Sequence, residues 1–295
     1  MYKSKYLKYK KKYIDLRYKL NNMEGGSKEI DESKIKKFLA VILFHNDEHL
    51  VEEQVNYMID NKHDIIIFNH NSNDETQNII DDLSKKHSRI IKTYILDSSI
   101  PFKNNGVFNH ISNILIEQYS NKYDWISFIE SDEFLEGPKR DKKYYEYLLD
   151  VSETEYTYIQ FDNILFWPTK DIDESIKSIR ERLKYYAWFK NCGPRLYAWK
   201  AKYTNLRNYN HNPPSYGNKY PIHFNTCHYP FTSKTGLLKK LDERRKMSQS
   251  NGVNTHYKHL FQNIDNLIID NKLLHYNDNS DLIKDDKFDF SKFYN

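Results

Sequence analysis

A chain of 295 residues that is 39% hydrophobic, with 25 Tyr, 16 Phe and 4 Trp, holds enough apolar area for a core, which excludes wholesale disorder. Its two cysteines, Cys192 and Cys227, exclude a disulfide framework and a four-cysteine zinc site. The net charge of +4 is unevenly placed: residues 1–37 carry +7, which leaves −3 for residues 38–295 and argues against a nucleic-acid-binding body. The longest apolar run, Phe38–Phe44, is far short of the ~20 residues a spanning helix needs. The start MYKSKYLKYKKK has no apolar stretch behind its charges, and the chain contains no N-x-[ST] sequon. A cytoplasmic protein is expected.

Tyr2, Tyr6, Tyr9, Tyr13, Leu16, Leu20 and Met23 alternate at spacings of four and three, with Lys filling the other faces. This predicts a basic amphipathic helical arm over residues 1–26, ended by Gly25-Gly26-Ser27, and a linker over 27–37. Residues 1–24 could self-associate or dock on an anionic surface; a solvated arm with no partner fits equally. The segment resembles the KYLKYKxKY-type amino termini that recur in proteins of giant amoebal viruses.

From Phe38 the pattern alternates. Strands are predicted at 38–44, 64–69, 89–96 and 125–129, with helices at 48–60, 75–86 and 107–119 between them. Such alternation predicts an α/β domain, placed at 38–250, with a mostly parallel central sheet. Residues 251–295 read as a polar extension without a functional pattern. In a parallel sheet, ligands sit beyond the carboxyl ends of the strands. His45-Asn46-Asp47-Glu48 follows the first strand, Asn69-His70-Asn71-Ser72-Asn73-Asp74-Glu75-Thr76 the second, and Glu130-Ser131-Asp132-Glu133 the fourth. Asp74 and Thr76 suit helix capping as well as ligand contact. The acidic cluster is harder to explain by turn chemistry, because crowded carboxylates repel unless a cation or solvent relieves them. A divalent metal is a natural reading.

The segment VILFHNDEHLVEEQVNYMIDNKHDIIIFNHNSNDET resembles the opening of GT-A-fold glycosyltransferases of the family-2-like group. DWISFIESDEFL resembles their DWxxFxDxDEFL segment with its metal-binding D-x-D motif, and CHYPFTSKTGLLKK their late N-H-Y-x-x-x-S stretch. The resemblance spans about residues 38–245. It implies a Rossmann-like GT-A fold and transfer of a sugar from a nucleotide sugar, UDP-linked by preference, to a hydroxyl of a glycan, protein or lipid. It implies Asp132 as a ligand of Mn²⁺ or Mg²⁺, Glu130 in place of the first Asp at ribose or metal, Glu133 behind it, and His228 closing the metal site. An imidazole ligand favours manganese. Asn46, Glu48, Asn69 and Asp74 would hold the base and ribose, His70 standing beside Asn69 where an Asp is common. Arg195 would contact the diphosphate, and Lys103 is either a second contact or a solvated cation.

An inverting transfer also needs a carboxylate base. Asp162 is the candidate carried forward, with Glu155 and Glu174 as others. Trp167, Trp188 and Trp199 could stack on sugars, though core packing is expected for at least two of them. Two other classes compete. A nucleotidyltransferase would share the sheet and metal, but FLAVILFHNDEH lacks the glycine-rich phosphate loop. A non-catalytic binding relative is kept open by Glu130 in place of Asp.

Overall fold

The computed structural model describes residues 36–100, 106–169, 172–189, 194–206, 217–233, 274–275 and 281–284. The expected arm and Lys103 lie outside these residues. The described chain runs β1 (Phe38–Phe44), α1 (Glu48–Asp60), β2 (Asp64–His70), α2 (Thr76–Lys86), β3 (Ile90–Leu96), α3 (Gly106–Gln118) and β4 (Trp125–Glu130). It continues with β5 (Glu133–Glu136), α4 (Tyr144–Ser152), β6 (Tyr158–Trp167), α5 (Ile179–Arg182), β7 (Tyr185–Trp188), β8 (Arg195–Lys200), β9 (Phe224–His228) and β10 (Leu274–His275).

All ten strands form one sheet, ordered β10-β7-β6-β8-β4-β1-β2-β3, with β9 joined to β6 and β5 to β9. The half built from residues 38–130 is parallel: β1 pairs with β2 and β4, and β2 with β3. Beyond β4 the sheet is mixed. β8 returns antiparallel on β4, β6 antiparallel on β8, and β5 antiparallel on β9, while β9 runs parallel to β6.

Every residue of β1 is buried, because both faces of a parallel sheet are covered by crossover helices. Phe38, Ala40, Ile42 and Phe44 pack with Val51, Val55 and Met58 of α1 and Ile80 and Leu83 of α2. Leu39, Val41 and Leu43 pack on the other face with Val107, Phe108, Ile111 and Leu115 of α3. Alternation along the strand sends successive side chains to opposite faces, so one unbroken apolar run serves two cores. At ~1.5–3 kcal/mol for each large apolar side chain, this strand anchors the domain. Trp167 and Trp199 are core residues, and Trp188 is half-buried. Among the described residues no helix is long and apolar enough to cross a membrane.

A third cluster joins Leu50, Phe134, Ile164, Phe166, Tyr186, Cys227 and Tyr229 with Leu282. Residues 281–284 form a strap over this side. Arg140 N–H donates to Asp281 Oδ1 at 2.9 Å, Ile283 N–H to Tyr186 Oη at 3.0 Å, and Lys284 Nζ to Asp162 Oδ2 at 2.5 Å. The short helix α5 is held in place by Glu53 of α1. That carboxylate accepts Ile179 N–H at 2.6 Å and Arg180 N–H at 3.2 Å, satisfying first-turn donors that so brief a helix cannot pair itself.

His63 sits wholly buried before β2, stacked on Tyr144 at 5.6 Å, with Nδ1 2.7 Å from Asn61 O. Burial pushes its imidazole down to about 4, against the pull of the Asn61 carbonyl. The unfolded chain takes up this proton near ~6.5, so the contribution to stability is complete above that pH and is lost as pH falls toward 4. Urea unfolding should therefore show roughly 2–3 kcal/mol lost from this group between pH 7.5 and 4.5. His63→Leu should flatten that part of the profile; an unchanged slope would contradict the assignment.

Candidate functional site

Parallel β1, β2 and β4 end side by side, Phe44 opposite Asn69 and Leu43 opposite Glu130. The loops that leave them therefore meet along one edge. The first two are zipped together. Asn46 N–H donates to Ser72 Oγ at 2.9 Å, and Asn73 N–H donates back to Asn46 Oδ1 at 2.8 Å. Asp47 N–H donates to Thr76 Oγ1 at 3.0 Å, Glu48 N–H to Asp74 Oδ2 at 3.2 Å, and Glu75 N–H to Glu48 Oε2 at 3.0 Å. Side chains of each loop thus accept the orphan N–H groups at the helix start of the other. Asn46 and Asn71 adopt left-handed backbone, at φ 56° and 50°, a conformation Asn tolerates. Asn69 is buried and donates from Nδ2 to Gln77 Oε1 at 2.7 Å.

Asn46, Glu48, Asn69 and Asp74 are thus brought together, with side chains that hold the loops. Partial burial opposes ionisation of Asp74, but hydrogen bonds from Thr76 and Glu48 keep its carboxyl below the usual range. His70 is buried beside them, with Nε2 2.8 Å from Ile100 O.

The acidic turn is short. Only Ser131 and Asp132 separate β4 from β5, and the register of β5 on β9 sets Glu133 opposite His228. Asp132 O accepts Tyr229 N–H at 2.8 Å, and Asp132 Oδ2 lies 3.4 Å from His228 Nε2. Two ligands about 2.1 Å from one cation, at octahedral or tetrahedral angles, stand roughly 3.0–3.4 Å apart. The pair fits a shared divalent ion. His228 Nδ1 is buried with no hydrogen-bond partner among the described residues. Among those residues no group of three or more His, Cys, Asp or Glu side chains is arranged to hold a metal. A cation on Asp132 and His228 would therefore take its other ligands from water and substrate oxygens. Glu130 is half-buried at the end of β4.

Glu133 lies beside this pair, opposite His228 on β9. It is fully buried, and its Oε1 accepts Tyr197 Oη–H at 2.6 Å and Arg195 Nη1–H at 3.2 Å. Burial, and then the charge of Glu130, raise its carboxyl above the usual range, with His228 and Arg195 opposing. Arg195, expected at the diphosphate, stands behind the acidic turn and holds Glu133. Gln54 Nε2 donates to Glu133 O at 2.9 Å, pinning the same strand from α1.

Asp162 is not brought to this cluster. It lies opposite Asn225, three positions before the Leu165–His228 pair, or about 10 Å along the strand. Its Oδ1 is 3.0 Å from His223 Nδ1, and its Oδ2 accepts Lys284. Glu155 and Glu174 are exposed.

Pattern reading passed over Asp47 and Ser131. Asp47 is buried after β1, and its Oδ2 accepts both His45 N–H at 3.0 Å and Ser131 Oγ–H at 2.6 Å. The available signal was its place between two residues already singled out, at a strand end.

No known family profile matches the chain, and no curated protein matches it in sequence. Among solved structures it is similar to the mannosyltransferase PcManGT from Pyrobaculum calidifontis in complex with GDP-Man and Mn²⁺. That match has a TM-score of 0.31 and 10% identity, and covers 46% of this chain and 37% of that one.

Proposed function

We propose that this protein is a metal-dependent glycosyltransferase, moving a sugar from a nucleotide sugar, UDP-linked by preference, to an acceptor hydroxyl. The observation that carries this reading is the meeting of Asp132 Oδ2 and His228 Nε2 at the carboxyl end of β4, beside the paired loops after β1 and β2. The resemblance of VILFHNDEHL, DWISFIESDEFL and CHYPFTSKTG to GT-A enzymes supports it from the sequence side.

In sugar transfer, negative charge builds on the departing nucleoside diphosphate. A divalent cation, manganese by preference for an imidazole ligand, supplies the neutralising charge. Asp132 and His228 offer it one carboxylate oxygen and one ring nitrogen. Exposed Asn46, Asn71 and Asn73 offer amide donors and acceptors to base and ribose. Glu133, Arg195 and Tyr197 keep the acidic turn backed by a closed hydrogen-bond set. Asp162 could serve as base only with Lys284 moved off Oδ2.

Incubation with a panel of nucleotide sugars, without acceptor, should release nucleoside diphosphate in the presence of Mn²⁺ and stop on chelation. Pyrophosphate release from a nucleoside triphosphate would instead indicate a nucleotidyltransferase. Binding of the sugar nucleotide without turnover would indicate a binding protein.

A further inference from the structure

We infer that Asp47 is a positioning residue: through Ser131 it fixes the turn that carries Asp132, and so aims the Asp132 carboxylate at His228. The inference rests on the metal-site reading above. Asp47 stands at the N-cap of α1, where an aspartate would ordinarily be explained by capping, yet its side chain makes no capping hydrogen bond. The carboxylate is turned across the site to Ser131 Oγ at 2.6 Å, and both residues are buried. A short hydrogen bond from a hydroxyl to a buried carboxylate is among the stronger ones available to a protein.

Asp47 is itself held. Its N–H donates to Thr76 Oγ1 at the start of α2, and its Oδ2 also accepts His45 N–H. The turn beyond Ser131 is fixed on its other side by Tyr229 N–H on Asp132 O. The chain Thr76–Asp47–Ser131–Asp132–Tyr229 therefore links the start of α2 to the segments just beyond β1, β4 and β9. Ser131 is the residue of this two-residue turn that Asp47 holds, and a small rotation there swings the Asp132 carboxylate away from the imidazole. The paired loops on the donor side and the metal-ligating turn thus become one mechanical unit.

The test uses the full chain with Asp47→Ala, Ser131→Ala, the double variant and Asp47→Asn. In metal-free protein, hydrogen exchange at the Tyr229 amide should quicken in each alanine variant, while amides of the β1–β2 ladder keep their protection. Asp47→Asn, which retains an acceptor oxygen for Ser131, should restore most of the Tyr229 protection. Calorimetric titration should show Mn²⁺ affinity about 10–100-fold weaker in each alanine variant, and no weaker again in the double. Unchanged Tyr229 exchange, exchange that rises equally across the sheet, or additive losses of affinity would each overturn the inference. Wild-type protein that fails to bind Mn²⁺ would overturn the metal reading instead, and Tyr229 exchange would still decide the role of Asp47. If Asp47→Ala does not fold, Ser131→Ala decides it by the same readouts.

Discussion

Asp132→Asn should leave the fold standing and cut Mn²⁺-dependent donor hydrolysis by about 10²–10³-fold, the range seen when a group that stabilises developing charge is removed. Asparagine keeps the shape of the turn, and the bond from Tyr229 N–H to the backbone carbonyl of residue 132 does not depend on the side chain. What is lost is the charged oxygen 3.4 Å from His228 Nε2. His228→Ala should act more mildly on turnover and weaken manganese binding by roughly 10–100-fold. Circular dichroism, Mn²⁺ calorimetry and product release on the same preparations separate a folding defect from a ligand defect. Full activity in Asp132→Asn would remove the carboxylate from the mechanism.

Glu136→Ala should be strongly destabilising, at about 3–5 kcal/mol, because it leaves two largely buried guanidinium groups without their shared carboxylate. The Glu136 side chain is 9% exposed; its Oε1 accepts Arg180 Nη2–H at 2.9 Å and its Oε2 accepts Arg140 Nε–H at 3.2 Å. The Arg180 guanidinium also lies 4.5 Å from the centroid of the Tyr57 ring and 5.2 Å from that of Phe134. Without Glu136 it keeps the aromatic contacts and loses its counter-charge. For a domain of this size the melting temperature should fall by on the order of 10 °C. Glu136→Gln, which retains an acceptor, should lose less. A melting temperature within 2–3 °C of wild type, well under the ~6 °C that the smallest expected loss implies, would show that solvent already relieves the pair.

The parallel half of the sheet was legible because its signals are local. FLAVILF and DIIIFN are apolar runs between amphipathic helices, and the observed strands match the expected bounds within a residue or so. The antiparallel half was not. β5, β7 and β10 are short, and their partners are chosen by contacts such as Glu133 opposite His228, which no neighbouring residue announces. The site shows the same division. That polar clusters at strand ends would meet followed from topology. Which carboxylate points where did not. Glu133 adjoins Asp132 in sequence, but as the first residue of β5 it is fully buried and its carboxylate is taken by Arg195 and Tyr197. After β1 the sequence singled out Glu48, which is exposed, and passed over Asp47, which is buried and bonded to Ser131.

The strap of residues 281–284 has a kinetic consequence. Its anchors join groups 141 and 122 positions apart in the chain, Arg140 with Asp281 and Asp162 with Lys284. Contacts of such separation carry a high closure cost early in folding, so they are expected to form after the folding barrier. Interactions formed after the folding barrier leave the folding rate almost untouched and act on the rate of unfolding. Lys284→Ala should therefore raise the unfolding rate more than it slows folding, as a denaturant chevron would read.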